Sequence, residues 1–185
     1  MKQKKIAVLV GSLRKASLNL KVAKQLMRLA PENLELEIVN IGDLPLYNED
    51  LEANTPTSWV ELRNTIREAD GVLFVTPEYN RTTSPAIKNA LDIASRPWGK
   101  NVWNEKPGAV ISVSMSGLGG FGANHSIRQS AACLNIPMMQ QPEAYIGNAH
   151  TLFDENDNLT SAETESFLKN FMVAYEKWVN RLTVA

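Results

Sequence analysis

The sequence predicts an α/β fold, a doubly wound sheet of five parallel strands with helices on both faces. Two observations carry that expectation. Runs of consecutive aliphatic residues, each of strand length, alternate along the chain with segments whose apolar residues recur at helical spacing. Unbroken apolar runs mark strands covered on both faces, and regular strand–helix alternation is the pattern of repeated parallel crossover units. With 185 residues, 44% of them hydrophobic, the chain is long enough to bury such a core as one domain, residues 1–185.

The elements follow in order. The run "IAVLV" (6–10) reads as a central strand. Leu18, Val22, Leu26 and Leu29 place a helix over residues 18–30. The alternating "LELEIVNI" (34–41) reads as a second strand, nearer a sheet edge. After a long irregular stretch, Ser58 and Glu61 in "SWVE" have the spacing of a capping box and open a helix ending near Asp70 and Gly71. "GVLFV" is a third, buried strand. Ser84 before Pro85 is a favourable N-cap with proline at the first helical position. "GAVISVS" (108–114) is the fourth strand, residues 124–134 form a helix, and "PMMQQPEAYIG" holds a short fifth strand. Thr160 and Glu163 repeat the capping-box spacing before a last helix to about residue 182, whose core stripe is Phe167, Phe171, Tyr175, Trp178 and Leu182.

Composition removes several classes of function. A net charge of -1 leaves no polybasic surface for nucleic acid or a membrane. The basic start "MKQKK" precedes only "IAVLV", too short for a signal peptide, and no apolar run is long enough to span a bilayer. The expectation is a soluble, cytoplasmic protein. The lone cysteine, Cys133, excludes an internal disulfide and fits a reducing compartment. Its helical surroundings predict a buried core residue rather than a reactive thiol. No metal site is expected.

Ligands of open α/β sheets bind beyond the carboxyl ends of the strands, where strand order reverses. Three strand-to-helix loops are dense in small and polar residues: "GSLRKASLN", "TPEYNRTTSP" and "SMSGLGGFGAN". They follow the first, third and fourth strands, which are neighbours in a 2-1-3-4-5 order, so the loops would line one pocket. In the first, the free N–H groups of a helix start stand beside the hydroxyls of Ser12 and Ser17, the amide of Asn19 and the guanidinium of Arg14. Gly11 lets the backbone turn close to a ligand. Together these are the parts of a phosphate site, although the loop lacks the Gly-Lys-Ser/Thr of a Walker A sequence. The plainer reading is a solvated turn with a serine N-cap. In the third loop Gly117, Gly119 and Gly122, with Glu143 downstream, match a dinucleotide-binding fingerprint. That fingerprint belongs after a first strand, whereas here it follows the fourth. Glycines approaching a flat ring explain the loop as well.

Taken together, "GSLRKASLN", "PEYNRTTSPAIKNALDIASR" and "SVSMSGLGGFGA" resemble, in order and spacing, the NADPH-dependent FMN reductase family of flavodoxin-like proteins. The nearest branch is that of the bacterial quinone and chromate reductases. The likeness runs from Ile6 to the last helix. Ile93 in "LDIASR" departs from it, standing where an aromatic residue is expected to pack beside the flavin. The resemblance implies a three-layer sandwich in strand order 2-1-3-4-5, with bound FMN and NADPH or NADH as co-substrate. By position, Ser12, Arg14, Ser17 and Asn19, with Gly11, would hold the FMN phosphate. Pro77, Glu78, Tyr79 and Asn80 would flank the isoalloxazine. Ser114, Ser116, Gly117, Gly119 and Gly120 would border its pyrimidine side, where N–H groups favour the reduced flavin.

The mechanism so implied is a two-step exchange in which NAD(P)H delivers hydride to flavin N5 and leaves. A quinone, with chromate as a further acceptor, then takes two electrons. The flavin carries the chemistry, so no catalytic general base is expected; His125 and His150 read as structural or surface residues. Arg81 would meet the nicotinamide cofactor's phosphates or an anionic substrate, against the plainer reading of a solvated loop arginine. Tyr79 would shield a flavin face or simply pack the loop, and Glu78 would position loop and ring. Trp98 and Trp103 are candidates for a subunit contact or satellite core, and the family implies a homodimer or homotetramer. The competing class is a flavodoxin-type electron carrier without NAD(P)H turnover. A charge of -1 suits such a carrier poorly, since carriers of that kind are acidic, and so does Arg14 in the phosphate loop. A colourless dinucleotide-binding module would leave the first loop unexplained.

Overall fold

The computed structural model describes residues 3–183; Met1 and Lys2 of the basic N-terminal run lie outside the described residues. Among these, β1 (Lys4–Val10), β2 (Leu34–Val39), β3 (Gly71–Thr76), β4 (Gly108–Val113) and β5 (Ala144–Ile146) form a parallel sheet in the order β2-β1-β3-β4-β5. Between and after them run α1 (Leu18–Leu29), α2 (Thr57–Glu68), α3 (Pro85–Ala94), α4 (Phe121–Cys133) and α5 (Ala162–Thr183). The architecture and strand order are those expected, with β2 on the edge. No helix of the described residues is long and apolar enough to cross a membrane.

The pleat of the central strands divides the apolar residues between two cores. Ile6, Val8 and Val10 face Val22 and Leu26 of α1 and Phe171, Met172 and Tyr175 of α5. Ala7 and Leu9 face Trp59, Leu62 and Ile66 of α2, Ile87 and Leu91 of α3, and Ile127 of α4. Register then sets the level of the loops. Val10 pairs with Val75, and Thr76 with Ser112, so β1, β3 and β4 leave the sheet side by side. The switch in chain direction across the sheet falls between β1 and β3, and the three polar loops begin there together.

Several expectations are corrected. Cys133 is exposed, not core. Ile127 and Ala131 set the inward phase of α4, and a residue two positions beyond Ala131 points away. The capping box at Ser58 does not form. Helix α2 is capped two residues earlier, at Pro56, whose carbonyl accepts from the amides of Trp59 and Val60. At α5 the capping residue is Ser161, whose hydroxyl accepts from the Thr164 amide at 3.1 Å, while Thr160 donates to the Leu152 carbonyl. Leu182 is 41% exposed, outside the core stripe that Phe171 and Tyr175 carry. Trp103 is buried, donating to the Leu91 carbonyl at 3.0 Å and packing on Phe74, so it makes no subunit contact; Trp98 is 88% exposed. Ile93 lies in the core beneath α2 and α3 and does not line the polar loops, so it repacks that core.

The long segment after β2 is strapped to α3. Asn89 accepts from the Tyr47 amide at 2.8 Å and donates to the carbonyls of Leu44 and Pro45. Lower down, the Tyr47 hydroxyl donates to Glu52 at 2.9 Å, and Arg96 donates to Tyr47, Glu52 and Glu49. Burial pushes the Glu52 carboxyl up, but hydrogen bonds from Tyr47 and Arg96 and the positive charges of Arg96 and Arg63 overcome it and hold it below its ordinary value. A carboxylate depressed in the folded state contributes stability that is present above its unfolded value and lost as pH falls through the folded one. Glu52→Gln is therefore expected to lower the melting temperature near neutrality and to flatten the acid limb of its pH profile, so that variant and wild type converge at low pH. An acid limb identical to wild type would refute the strap's part in it.

Candidate active site

The first loop ends in the N-cap of α1. Ser17 is extended and its hydroxyl accepts from the Leu20 amide at 3.1 Å, which leaves its own O–H free to donate. Asn19, in the first turn, is 5% exposed, and its side-chain oxygen is buried with no partner. Such an atom costs stability unless a ligand or water meets it. Arg14 and Ser12 stand above it, Arg14 exposed and Ser12 half-buried.

In the second loop Tyr79 and Thr82 exchange backbone hydrogen bonds of 3.0 Å, closing a tight turn. Its two central residues, Asn80 and Arg81, have φ of 49° and 68°. The turn throws Arg81 outward, its side chain 72% exposed, and Glu78 inward, its side chain 13% exposed. One oxygen of Glu78 accepts from the Ala123 amide in α4 at 3.1 Å and the other from Arg81 at 3.2 Å. Glu78 thereby ties the second loop to the helix that follows the third.

The third loop is built from internal hydrogen bonds. Ser114 accepts from the Ser116 amide at 3.1 Å, Ser116 accepts from the Leu118 amide, and Ser112 donates to the Gly119 carbonyl at 2.7 Å. Gly119 and Gly120 have φ of 61° and 76°, and a Cβ on Gly119 would stand 2.7 Å from the Tyr145 carbonyl carbon. Left-handed backbone here turns the chain directly into α4, which is why that helix begins at Phe121 rather than at residue 124. Asn124 is instead an internal rivet: it donates to the Ala144 carbonyl at 3.1 Å and accepts from Arg128 at 3.0 Å.

These loops enclose one cavity of about 220 Å³. Seven of the residues singled out from the sequence line it: Ser12, Arg14, Asn19, Pro77, Glu78, Tyr79 and Ser114. Leu18, Val113 and Met115 complete the lining without a polar signal; their mark in the sequence is position, at a strand end or helix start. The remaining predicted residues lie beside or behind it. Ser17 caps α1, and Asn80 and Arg81 are exposed on the turn. Ser116 and Gly117 are exposed, and Gly119 and Gly120 are buried against Tyr145 and Ser112. Gly11 owes its identity to packing: its amide donates to the Val75 carbonyl, and a Cβ would meet Ser84, Ile87 and Pro77 within 2.8 Å. The dinucleotide reading of Gly117, Gly119 and Gly122 gains nothing, since Gly122 packs on Arg81 and Glu78 and Glu143 is exposed. Neither histidine lines the cavity, and His125 instead pairs with the Tyr145 hydroxyl at 3.0 Å.

The family model described as NADPH-dependent FMN reductase matches residues 4–151. The chain belongs to the NADPH-dependent FMN reductase family. Within that family it is 54% identical over 175 residues to a quinone reductase of Pseudomonas putida, covering 94% of both chains. It is 45% identical over 175 residues to a 2-hydroxy-1,4-benzoquinone reductase of a Burkholderia species, covering 95% of this chain and 96% of the other. Among solved structures it superposes on FerB, a flavoenzyme NAD(P)H:(acceptor) oxidoreductase from Paracoccus denitrificans, with a TM-score of 0.91 and 42% identity. That superposition covers 96% of this chain and 98% of the other. Membership makes the chain an oxidoreductase that uses FMN and NAD(P)H. The residues present fit the flavin. A cationic and hydroxyl-rich corner at the start of α1 suits a phosphate, and the unpartnered oxygen of buried Asn19 awaits a donor such as a ligand hydroxyl.

Proposed function

We propose that the protein is an NAD(P)H:quinone reductase working by a ping-pong exchange at one site, with quinones as its principal acceptors and chromate as a further one. The observation that carries this reading is the division of the cavity. One corner, with Ser12, Arg14 and Asn19, is built to hold an anion. The mouth is apolar and exposed, with Tyr79, Met115 and, on the surrounding loops, Leu13, Leu118 and Phe121 between 42% and 59% accessible. A flat, weakly polar acceptor suits such a mouth. The names of the relatives in Pseudomonas putida and the Burkholderia species point to the same substrate class.

Ser12, Arg14, Ser17 and Asn19 anchor the FMN phosphate. Pro77, Glu78 and Tyr79 hold one side of the ring and Ser114 the other, with Ser116, Gly117, Gly119 and Gly120 shaping the wall behind it and Asn80 the turn beside it. Bound FMN supplies the redox chemistry, taking two electrons from NAD(P)H and passing them to the acceptor. In this reading the reaction asks no general base of the chain. Glu78 is the one carboxylate in the lining and both its oxygens are engaged. The apolar mouth and Trp98 also support association into a homodimer or homotetramer.

The test is a visible spectrum of the FMN-loaded protein mixed anaerobically with NADPH. Rapid bleaching, with recovery when a quinone is added after removal of spent nicotinamide, is the expected result. A flavin band that persists with NADPH and NADH would leave an electron carrier. Arg81→Ala is expected to raise the apparent KM for the nicotinamide or the quinone about fivefold, as for one exposed charge contact of about 1 kcal/mol. Its affinity for FMN should not change. Unaltered steady-state constants would place Arg81 outside the substrate path.

A further inference from the structure

A second hollow, of about 210 Å³, lies at the far end of α3. The amino end of that helix, at Ser84, adjoins Gly11 and the flavin pocket. Its ten residues carry the chain about 15 Å away. There Arg63, Asn64 and Arg67 of α2 face Arg96 and Lys100 across the cavity, with no carboxylate in the lining. Arg96 is neutralised from its other side by Glu49 and Glu52. Among the described residues, Arg63, Arg67 and Lys100 have no carboxylate within 4.0 Å.

Arg63 is the telling member. It is only 8% exposed, its Nε donates to the Ile93 carbonyl at 3.0 Å, and its guanidinium stands 5.7 Å from the Trp59 ring. Its Nη2 is buried and has no partner. Burial lowers its affinity for the proton, Glu52 and Tyr47 raise it, and the neighbouring charge of Arg67 lowers it further. A buried cation with an idle donor, held against other cations, is costly unless an anion completes it.

We propose that this hollow is an oxyanion site that takes a phosphate group, remote from the flavin. Guanidinium forks match the oxygens of a phosphate, whose negative charge answers Arg67 and Lys100 and whose oxygens can meet the idle donor of Arg63. The ligand class is free phosphate or a small phosphate monoester. Because the site lies at the opposite end of α3, its occupancy does not compete with the FMN phosphate.

The test is calorimetric titration of the FMN-loaded protein with inorganic phosphate and, separately, with AMP, against chloride at matched ionic strength. The comparison is the double variant Arg67→Ala, Lys100→Ala, whose side chains are both exposed, so that the fold and the FMN content are kept. Saturable phosphate binding in the wild type, weakened at least about tenfold in the variant, is the expected result. AMP binding more tightly than phosphate, and lost in the variant, would assign a phosphate ester; equal affinities would assign the free anion. Equal binding by wild type and variant, or none beyond chloride, would overturn the proposal. So would a variant that changes oligomeric size while phosphate has no effect, since the cations would then meet a second copy of the chain.

Discussion

Arg14→Ala is expected to weaken FMN binding by about ten- to a hundredfold, the range of one charge-assisted hydrogen bond to a phosphate. Arg14 is the only cation in the lining of the flavin cavity and is exposed, with no ion pair among the described residues. Its removal takes positive charge from the anion corner without opening a hole in the core. The melting temperature of the flavin-free protein should therefore stay within the change expected of a surface substitution, about 0.5 kcal/mol. Quenching of FMN fluorescence on titration with apoprotein measures the affinity directly. An unchanged dissociation constant would remove Arg14 from the phosphate site and leave that role to hydroxyls and helix N–H groups.

Gly119→Ala should produce the largest loss of stability of the substitutions considered. Alanine at φ 61° is strained, and its methyl would lie 2.7 to 2.9 Å from the backbone of Tyr145 on the neighbouring strand. Neither the loop nor β5 can retreat cheaply, because Ser112 holds the Gly119 carbonyl and Asn124 holds the Ala144 carbonyl. Strain and overlap together amount to about 3 kcal/mol, a fall of roughly 6–12 °C in melting temperature for a chain of this size. Gly117→Ala is the matched control. A Cβ there meets nothing within 4 Å, so the flavin-free protein should be unaffected. Equal losses in the two variants would rule out strain and overlap with Tyr145 as the cause.

The sheet was legible because its signal is periodic. "IAVLV", "GVLFV" and "GAVISVS" are apolar without interruption, and burial on both faces requires that. The pocket was legible through the coincidence of three polar loops on adjacent strands. Helix starts were read less well, because several residues near each start can cap and the sequence does not choose among them. Ser58 and Thr160 both lost the role to neighbours fixed by tertiary packing, Pro56 ahead of buried Trp59 and Ser161 ahead of Leu168. The core reading of Cys133 and the subunit contact offered for Trp103, which instead took its core alternative, failed for a related reason. Their exposure depends on the phase of α4 and on how the segment after α3 folds back, which composition does not record. The apolar lining of Leu18, Val113 and Met115 was hidden because an aliphatic residue at a strand end looks the same whether it meets core or ligand.

The level at which β1, β3 and β4 release their loops has a consequence for how such a protein can change. The groups proposed to anchor the phosphate sit in the loop before α1 and in its first turn, whereas Leu13, Met115 and Leu118 at the mouth are all more than half exposed. Substitution at those rim positions re-cuts the opening while leaving the anchor, the sheet and the folding free energy almost untouched. Acceptor preference can therefore drift by single steps through fully folded, flavin-competent intermediates, and a population of these proteins can explore new oxidants without passing through a broken ancestor.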